Sequence, residues 1–296
     1  MLILIITMLA CSSSGQFESK SLETTIYSGS TSDEAIDEVT LVPVITDIAV
    51  GPNRFAFGIL KDSNPLRIPE AAVRFVFLEV NPPELRIQST ARFVRWPVGN
   101  AGVYTVDVEF EQAGRWGVIV DLVTNENSKI TAQVGFIVKQ ESASPGVGKR
   151  AIPSSNKTVG DIVDLSEITT SNAPDPELYF MTIEDAVSNG RPTLLAFATP
   201  GYCQTATCGP QIEVVSTLKN RYKDRANFIH IEVYDNPSEI QGDLSRGRLS
   251  PILLEWGLIS EPFTFVIDKD GRVASKFEGF ATESELEMAL SRVLDF

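Results

Sequence analysis

The stretch Thr193-Leu194-Leu195-Ala196-Phe197-Ala198-Thr199-Pro200-Gly201-Tyr202-Cys203-Gln204-Thr205-Ala206-Thr207-Cys208-Gly209-Pro210 decides the reading of the last third of this chain. Its first six residues carry no charge and have the length and composition of a strand buried on both faces. Thr199-Pro200-Gly201-Tyr202 is a turn. Beyond the two cysteines, Ile212, Val215, Leu218 and Tyr222 fall on one face of a helix that runs to about Arg225. Strand, turn, cysteines and helix follow in immediate succession. The thiols therefore sit at a helix N-terminus, where aligned peptide dipoles favour a thiolate and lower its pKa.

The elements on either side continue the alternation of strand and helix. Upstream, Thr182 caps a helix whose apolar face is Ile183, Ala186 and Val187, and Gly190 stops it before Arg191-Pro192. Downstream come a strand at Asn227–Tyr234, a short helix at Pro251–Leu258, and a hairpin of Phe263–Ile267 and Val273–Phe277 around Asp268-Lys269-Asp270-Gly271. Thr282, with Glu285 three residues on, caps a last helix whose inward positions are Leu286, Ala289, Leu290 and Val293.

Over residues 177–296 this order resembles that of thioredoxin-fold proteins, an α/β class. Ser260-Glu261-Pro262-Phe263-Thr264-Phe265-Val266-Ile267-Asp268 is similar to that family's cis-proline loop and following strand. The resemblance implies thiol–disulfide exchange with extracytoplasmic protein thiols and a redox partner, and no cofactor. Cys203 is then the nucleophile, Cys208 the resolving thiol, and Pro262 the residue lying against them. Glu232 has two readings, a proton acceptor like the buried carboxylate beneath thioredoxin cysteines, or a strand-edge Glu paired with Lys or Arg.

The spacing of the cysteines keeps other readings open. Thioredoxins use C-x2-C, whereas an i, i+5 pair lies about 140° out of phase on an ideal helix. Closing Cys203 onto Cys208 requires a non-helical turn over Gln204–Thr207 or local unwinding of the helix. A second register places Cys208-Gly209-Pro210-Gln211 on the family's C-G-P-C motif, with Gln211 in place of a cysteine and Cys208 as nucleophile. Thr199-Pro200-Gly201-Tyr202-Cys203 is also similar to peroxiredoxins with a C-x4-C pair, but Ala196 and Pro200 stand where that family needs Pro and Thr or Ser. Copper delivery of the Sco type would use Cys203, Cys208 and His230, the sole histidine of the chain; on a strand of this kind His230 reads first as a hydrogen-bonded core residue. A static disulfide with no turnover is the plain structural alternative.

Residues 41–140 read as β throughout. Apolar runs at Leu41–Val50, Arg54–Leu60, Ala72–Val80, Ala91–Val98, Val103–Phe110, Trp116–Val123 and Ile130–Val138 are separated by Gly-, Pro- and Asn-rich turns. Seven short strands at this spacing suggest an all-β immunoglobulin-like sandwich. The stretch from Ala101 to Val118 resembles YtkA-like and FixH-like envelope sandwiches. No His, Cys or Met occurs between 41 and 140, so soft and imidazole metal ligands are lacking there. An interaction or spacer module is the reading. Residues 141–176, rich in Ser, Pro, Gly and Asn, form a linker that separates two domains or packs over one.

The chain opens with MLILIITMLACSSSG. Residues 1–11 are too short to span a bilayer and read as a signal segment. Leu9-Ala10-Cys11-Ser12 resembles the lipobox of bacterial lipoproteins, which implies lipidation at Cys11 and a place on the extracytoplasmic face of a bacterial envelope membrane. Residues 12–40 are polar and acidic, a flexible tether. The net charge of −14 over 296 residues argues against nucleic acid as a partner. Three cysteines, one near the start and two together, do not make the disulfide framework of a small secreted domain.

Overall fold

Strand formation in the N-terminal half follows the pleat, with side chains alternating between core and solvent. The computed structural model describes residues 39–99, 101–124, 127–203 and 206–294. Residues 1–38, with the expected signal segment, Cys11 and most of the expected tether, lie outside the described residues. The strands are β1 (Val39–Pro43), β2 (Gly51–Lys61), β3 (Asn64–Pro65), β4 (Glu70–Phe77), β5 (Glu84–Arg95), β6 (Gly102–Phe110), β7 (Gly114–Val123) and β8 (Lys129–Val138). In β6, Val106, Val108 and Phe110 are buried while Asp107 and Glu109 face water. β1 starts at Val39, inside the stretch expected to be tether, and ends at Pro43, well short of Val50.

Two packed sheets are the expectation for a sandwich. Hydrogen bonds instead run without a break through one sheet in the order β1-β2-β6-β5-β4-β7-β8, with the short β3 beside β2. β5 is the reason. Glu84–Arg92 pairs with β4, and Arg92–Arg95 pairs with β6, so one long strand serves two neighbours in turn. Ala49 bridges to Lys139 just past β8, which brings the two ends of the sheet together and nearly closes it. The enclosed core is aromatic. Phe55 meets Phe75 edge-on at 5.1 Å between ring centres, and Phe110 meets Trp116 at 5.0 Å.

Residues 141–176 take the second of the two courses open to them and pack over the C-terminal unit. The Gly148 and Ala151 amides donate to the Val273 and Gly271 carbonyls at 2.8 and 2.9 Å. The indole N–H of buried Trp256 donates to Ser154 Oγ at 2.9 Å.

The C-terminal elements are α1 (Ile183–Ser188), β9 (Thr193–Ala198), α2 (Cys208–Tyr222), β10 (Asn227–Glu232), α3 (Pro237–Ile240), α4 (Pro251–Glu255), β11 (Phe263–Ile267), β12 (Val273–Glu278) and α5 (Glu283–Ser291). The four-stranded sheet has the order β10-β9-β11-β12, with β9 and β10 parallel and β11 antiparallel to both its neighbours. Every residue of β9, β10 and β11 is buried. Alternation along β9 feeds two cores: Leu194, Ala196 and Ala198 pack with α2 and α5, while Leu195 and Phe197 pack with Ile183, Leu253 and Trp256. Thr282 and Glu285 form the expected reciprocal cap of α5. This topology, with α2 directly after β9 and a cis Glu261–Pro262 bond directly before β11, is thioredoxin-like.

The two sheets share a polar seam. Arg54 of β2 reaches into the C-terminal unit, where its Nε donates to Glu285 at 2.8 Å, a terminal nitrogen donates to the Phe280 carbonyl at 3.1 Å, and only 5% of its side chain stays exposed. Asp47 accepts from the Ser142 and Ser144 hydroxyls, the Ala143 and Ser144 amides and Lys276 Nζ, and these donors hold its carboxyl well below the ordinary range. Removing one member of such a buried ion pair leaves the other charge uncompensated. Arg54→Ala is expected to destabilise the protein by about 3 kcal/mol, measured as a shift in the urea midpoint, whereas removing exposed Arg92, paired with Glu70 at 3.8 Å, should leave it within about 0.5 kcal/mol.

Candidate active site at the cysteine pair

Cys203 and Cys208 are joined by a disulfide with a Cα separation of 5.8 Å, inside the span such a bond needs. The phase conflict of an i, i+5 pair is avoided because Cys203 lies outside the helix. Ala206 takes a left-handed conformation at φ 57°, Thr207 precedes the helix, and Cys208 is the first residue of α2. Gln204 and Thr205, part of the expected turn, lie outside the described residues. Gly201 has no room for a side chain, since a Cβ there would meet the Thr170 carbonyl oxygen at 2.4 Å.

The two sulfurs have different surroundings. Cys208 is fully buried, while Cys203 is partly exposed. The Cys208 amide, one of the unpaired N–H groups of the α2 N-terminus, donates to Cys203 Sγ at 3.3 Å. Gln211, which one register treats as the replacement for a cysteine, is buried and accepts from the Ala281 amide at 2.8 Å, a packing role.

The antiparallel register of β11 on β9 sets Phe263 opposite Phe197. Glu261 and buried Pro262 therefore stand at the end of β9, where the cysteine turn begins. Glu261 Oε2 accepts from the Thr199 amide at 2.6 Å and lies 3.5 Å from Cys208 Sγ. Burial pushes the Glu261 carboxyl above its ordinary range. Sequence reasoning quoted Glu261 inside the proline loop and gave it no role. An acidic residue directly before that proline is the signal that was there to be used.

Glu232 ends β10 and accepts from the Thr170 amide and hydroxyl, both at 2.8 Å, and from the Val233 amide at 2.9 Å. The expected pairing with Lys or Arg gives way to these neutral donors, because the end of β10 is covered by the 165–170 segment. Burial, and then the nearby charge of Glu261, raise its carboxyl to about 7. The buried Thr199 Oγ1 faces both carboxyl groups without completing a hydrogen bond of good geometry to either.

His230 is buried and spends both ring nitrogens. Nε2 donates to the Ala198 carbonyl at 3.0 Å, which leaves Nδ1 to accept from Tyr179 Oη at 2.7 Å. Burial lowers its pKa to about 4, so the ring is neutral. The structure thus joins the two cysteines but commits His230 to the core. Among the described residues no three His, Cys, Asp or Glu side chains are grouped to hold a metal ion. Tyr202 Oη accepts from the Gly242 amide at 3.0 Å, which makes it a rim aromatic.

No protein-family model matches the chain, and no curated protein matches it. Solved structures that resemble part of it include two from bacterial thiol-redox proteins. One is a thiol:disulfide interchange protein DsbE from Chlorobium tepidum, 16% identical with a TM-score of 0.32, covering 38% of this chain and 85% of its own. The other is the exposed lipoprotein thioredoxin Etrx1 of Streptococcus pneumoniae strain TIGR4, 20% identical with a TM-score of 0.26, covering 35% of this chain and 85% of its own.

Because the Glu232 carboxyl sits near 7 in the fold and 4.5 when unperturbed, its contribution is fully present below 4.5 and is lost as the pH rises through about 7. His230 acts in the opposite sense, losing stability as the pH falls from 6.5 towards about 4. Glu232→Gln should therefore remove a fall in thermal midpoint between about pH 5 and pH 8, read as the difference between wild-type and variant melting curves across that range.

Proposed function

We propose that this chain is an envelope thiol–disulfide oxidoreductase acting on extracytoplasmic protein thiols. The observation that carries the reading is the asymmetric pair: a partly exposed Cys203 facing a helix N-terminal amide, closed onto a buried Cys208. In the reduced protein the Cys203 thiolate attacks a substrate disulfide, forming a mixed disulfide and expelling one substrate thiolate. Cys208 then attacks Cys203 Sγ, the Cys203–Cys208 bond forms, and the second substrate thiol leaves. The substrate gains two electrons and the pair loses them. Run backwards, the same steps oxidise a dithiol. Pro262, buried beside the pair, shapes the surface on which an extended substrate segment lies.

We read the N-terminal sheet as an immunoglobulin-like module. Its strands β4, β7 and β8 form one run and β1, β2 and β6 another, with β5 crossing between them. We place the boundaries at 41–140 for this module, 141–176 for the connecting segment and 177–296 for the redox domain. Cys11 is the lipid-bearing residue in this reading, and the residues between it and β1 hold the globular part off the membrane. A Cys11→Ser protein should move from the detergent phase to the aqueous phase on phase separation, while one retained in the detergent phase would refute the anchor.

The redox reading is tested by insulin reduction in the presence of dithiothreitol. Wild type should accelerate it, Cys203→Ser should not, and Cys208→Ser should accumulate a mixed disulfide through Cys203. A static structural bond predicts the reverse: no acceleration, no trapped species, and a reduction potential below about −300 mV.

A further inference from the structure

We propose that Glu261 is the general base of the resolving step, taking the proton of the Cys208 thiol so that the thiolate can close the Cys203–Cys208 bond. This rests on the exchange reading above and gives Glu261 a role that the thioredoxin resemblance offered only to Glu232.

The need for a base follows from how the two sulfurs are placed. The helix N-terminal amide nearest the pair donates to Cys203, so the helix start favours that thiolate. Cys208 is fully buried, and a buried thiol in apolar surroundings ionises poorly. Glu261 Oε2 is 3.5 Å from the disulfide sulfur of Cys208, within reach of the S–H that reduction creates there. The Thr199 amide, at 2.6 Å from the same oxygen, fixes its direction. Partial burial lifts the Glu261 carboxyl towards the pH at which a base works best. The groups facing it are Glu232 at the end of β10, Tyr234 just beyond it, Thr199 after β9 and Cys208 on α2. The charge of Glu261 adds to burial in raising the Glu232 carboxyl.

The step balances as follows. The Cys208 S–H bond breaks and its proton goes to Glu261, which becomes a carboxylic acid. The Cys208 thiolate attacks Cys203 Sγ, the new S–S bond forms, and the bond from Cys203 to the substrate sulfur breaks. The substrate leaves as a thiolate and takes up the proton that Glu261 then gives back.

A merely structural Glu261, pinning the proline loop to Thr199, is separated from this role by an aromatic disulfide probe, dithiobis-nitrobenzoate, mixed with the reduced protein. Attack by Cys203 releases one chromophore, and resolution by Cys208 releases the second. In Glu261→Gln the second phase should slow by on the order of 100-fold near neutral pH, with the first phase changed less than about threefold. Glu261→Asp should recover part of the second phase. The ¹³Cβ titration of Cys208 should meanwhile move to lower pH in Glu261→Gln, because a like charge has been removed. A lower thiol pKa with a slower resolution is the combination that electrostatics alone does not produce. A second phase in Glu261→Gln as fast as wild type overturns the proposal. Should Glu261→Gln fail to fold, an Asp variant whose two phases both match wild type overturns it as well, since a shortened side chain cannot hold the same reach. If wild type releases no second chromophore, the exchange reading itself fails; a Cys208 titration unmoved by Glu261→Gln instead refutes the carboxyl–thiol contact.

Discussion

β9 is buried along all six residues and hydrogen-bonded on both edges, by β10 in parallel and by β11 antiparallel. That makes its C-terminal end a fixed point, and three pieces of the site are placed relative to it. The cysteine turn leaves from Thr199. Glu232 ends β10 opposite Ala198, because the parallel register pairs those two residues. Glu261 and Pro262 enter β11 at the same height, because the antiparallel register pairs Phe263 with Phe197. A slip of one residue in either pairing would turn a carboxyl to the opposite face of the sheet. The apolar packing of Leu195, Phe197, Phe265 and Trp256 prevents such a slip, so the core holds the chemistry in place.

The site is also tied to the N-terminal sheet. Glu278, the last residue of β12, accepts from Ser260 Oγ at 2.7 Å and from Thr46 Oγ1 at 2.7 Å. Ser260 is the residue before Glu261, so the loop that carries Glu261 and Pro262 is bonded to a side chain that the N-terminal unit also grips. Lys276, two residues earlier, donates to Asp47 at 3.0 Å. The N-terminal sheet is therefore joined to the C-terminal unit through side chains of β12. It holds the strand against which the proline loop rests.

How much of this was legible in the sequence depends on the signal each part gives. β9 and β11 are almost wholly apolar runs, and their strand bounds are those expected. The caps at Thr182 and Thr282 are local and were read as such. β5 was not read from its true start at Glu84, because its first half is mostly exposed and shows charge and polar residues in place of an apolar alternation. Missing that half hides the strand that joins the two runs of the sheet. The polar composition of 141–176 signals a loop, but its backbone bonds to Val273 and Gly271 depend on distant partners. The approach of Glu261 to Cys208 is likewise a product of β-sheet register across 53 residues of chain, which no local pattern records.

The wider cysteine spacing makes sense once the two sulfurs are considered apart. In a pair placed wholly within one helical turn, both thiols would share the helix N-terminal field. Here Cys203 stands outside the helix and receives an amide from Cys208, while Cys208, inside it, faces a carboxyl group. The field at Cys203 favours the anion, and burial together with Glu261 favours the neutral thiol at Cys208. Opposite preferences at two sulfurs joined by one bond set an order of events. In the exchange proposed above, the exposed sulfur is the one that meets a substrate, and the buried one acts after the mixed disulfide has formed. Closure waits for the mixed disulfide, because two free thiols cannot join without a disulfide to accept their electrons. The four intervening residues are what allow this separation, with Ala206 turning left-handed so that Cys208 can begin the helix and still reach back to Cys203.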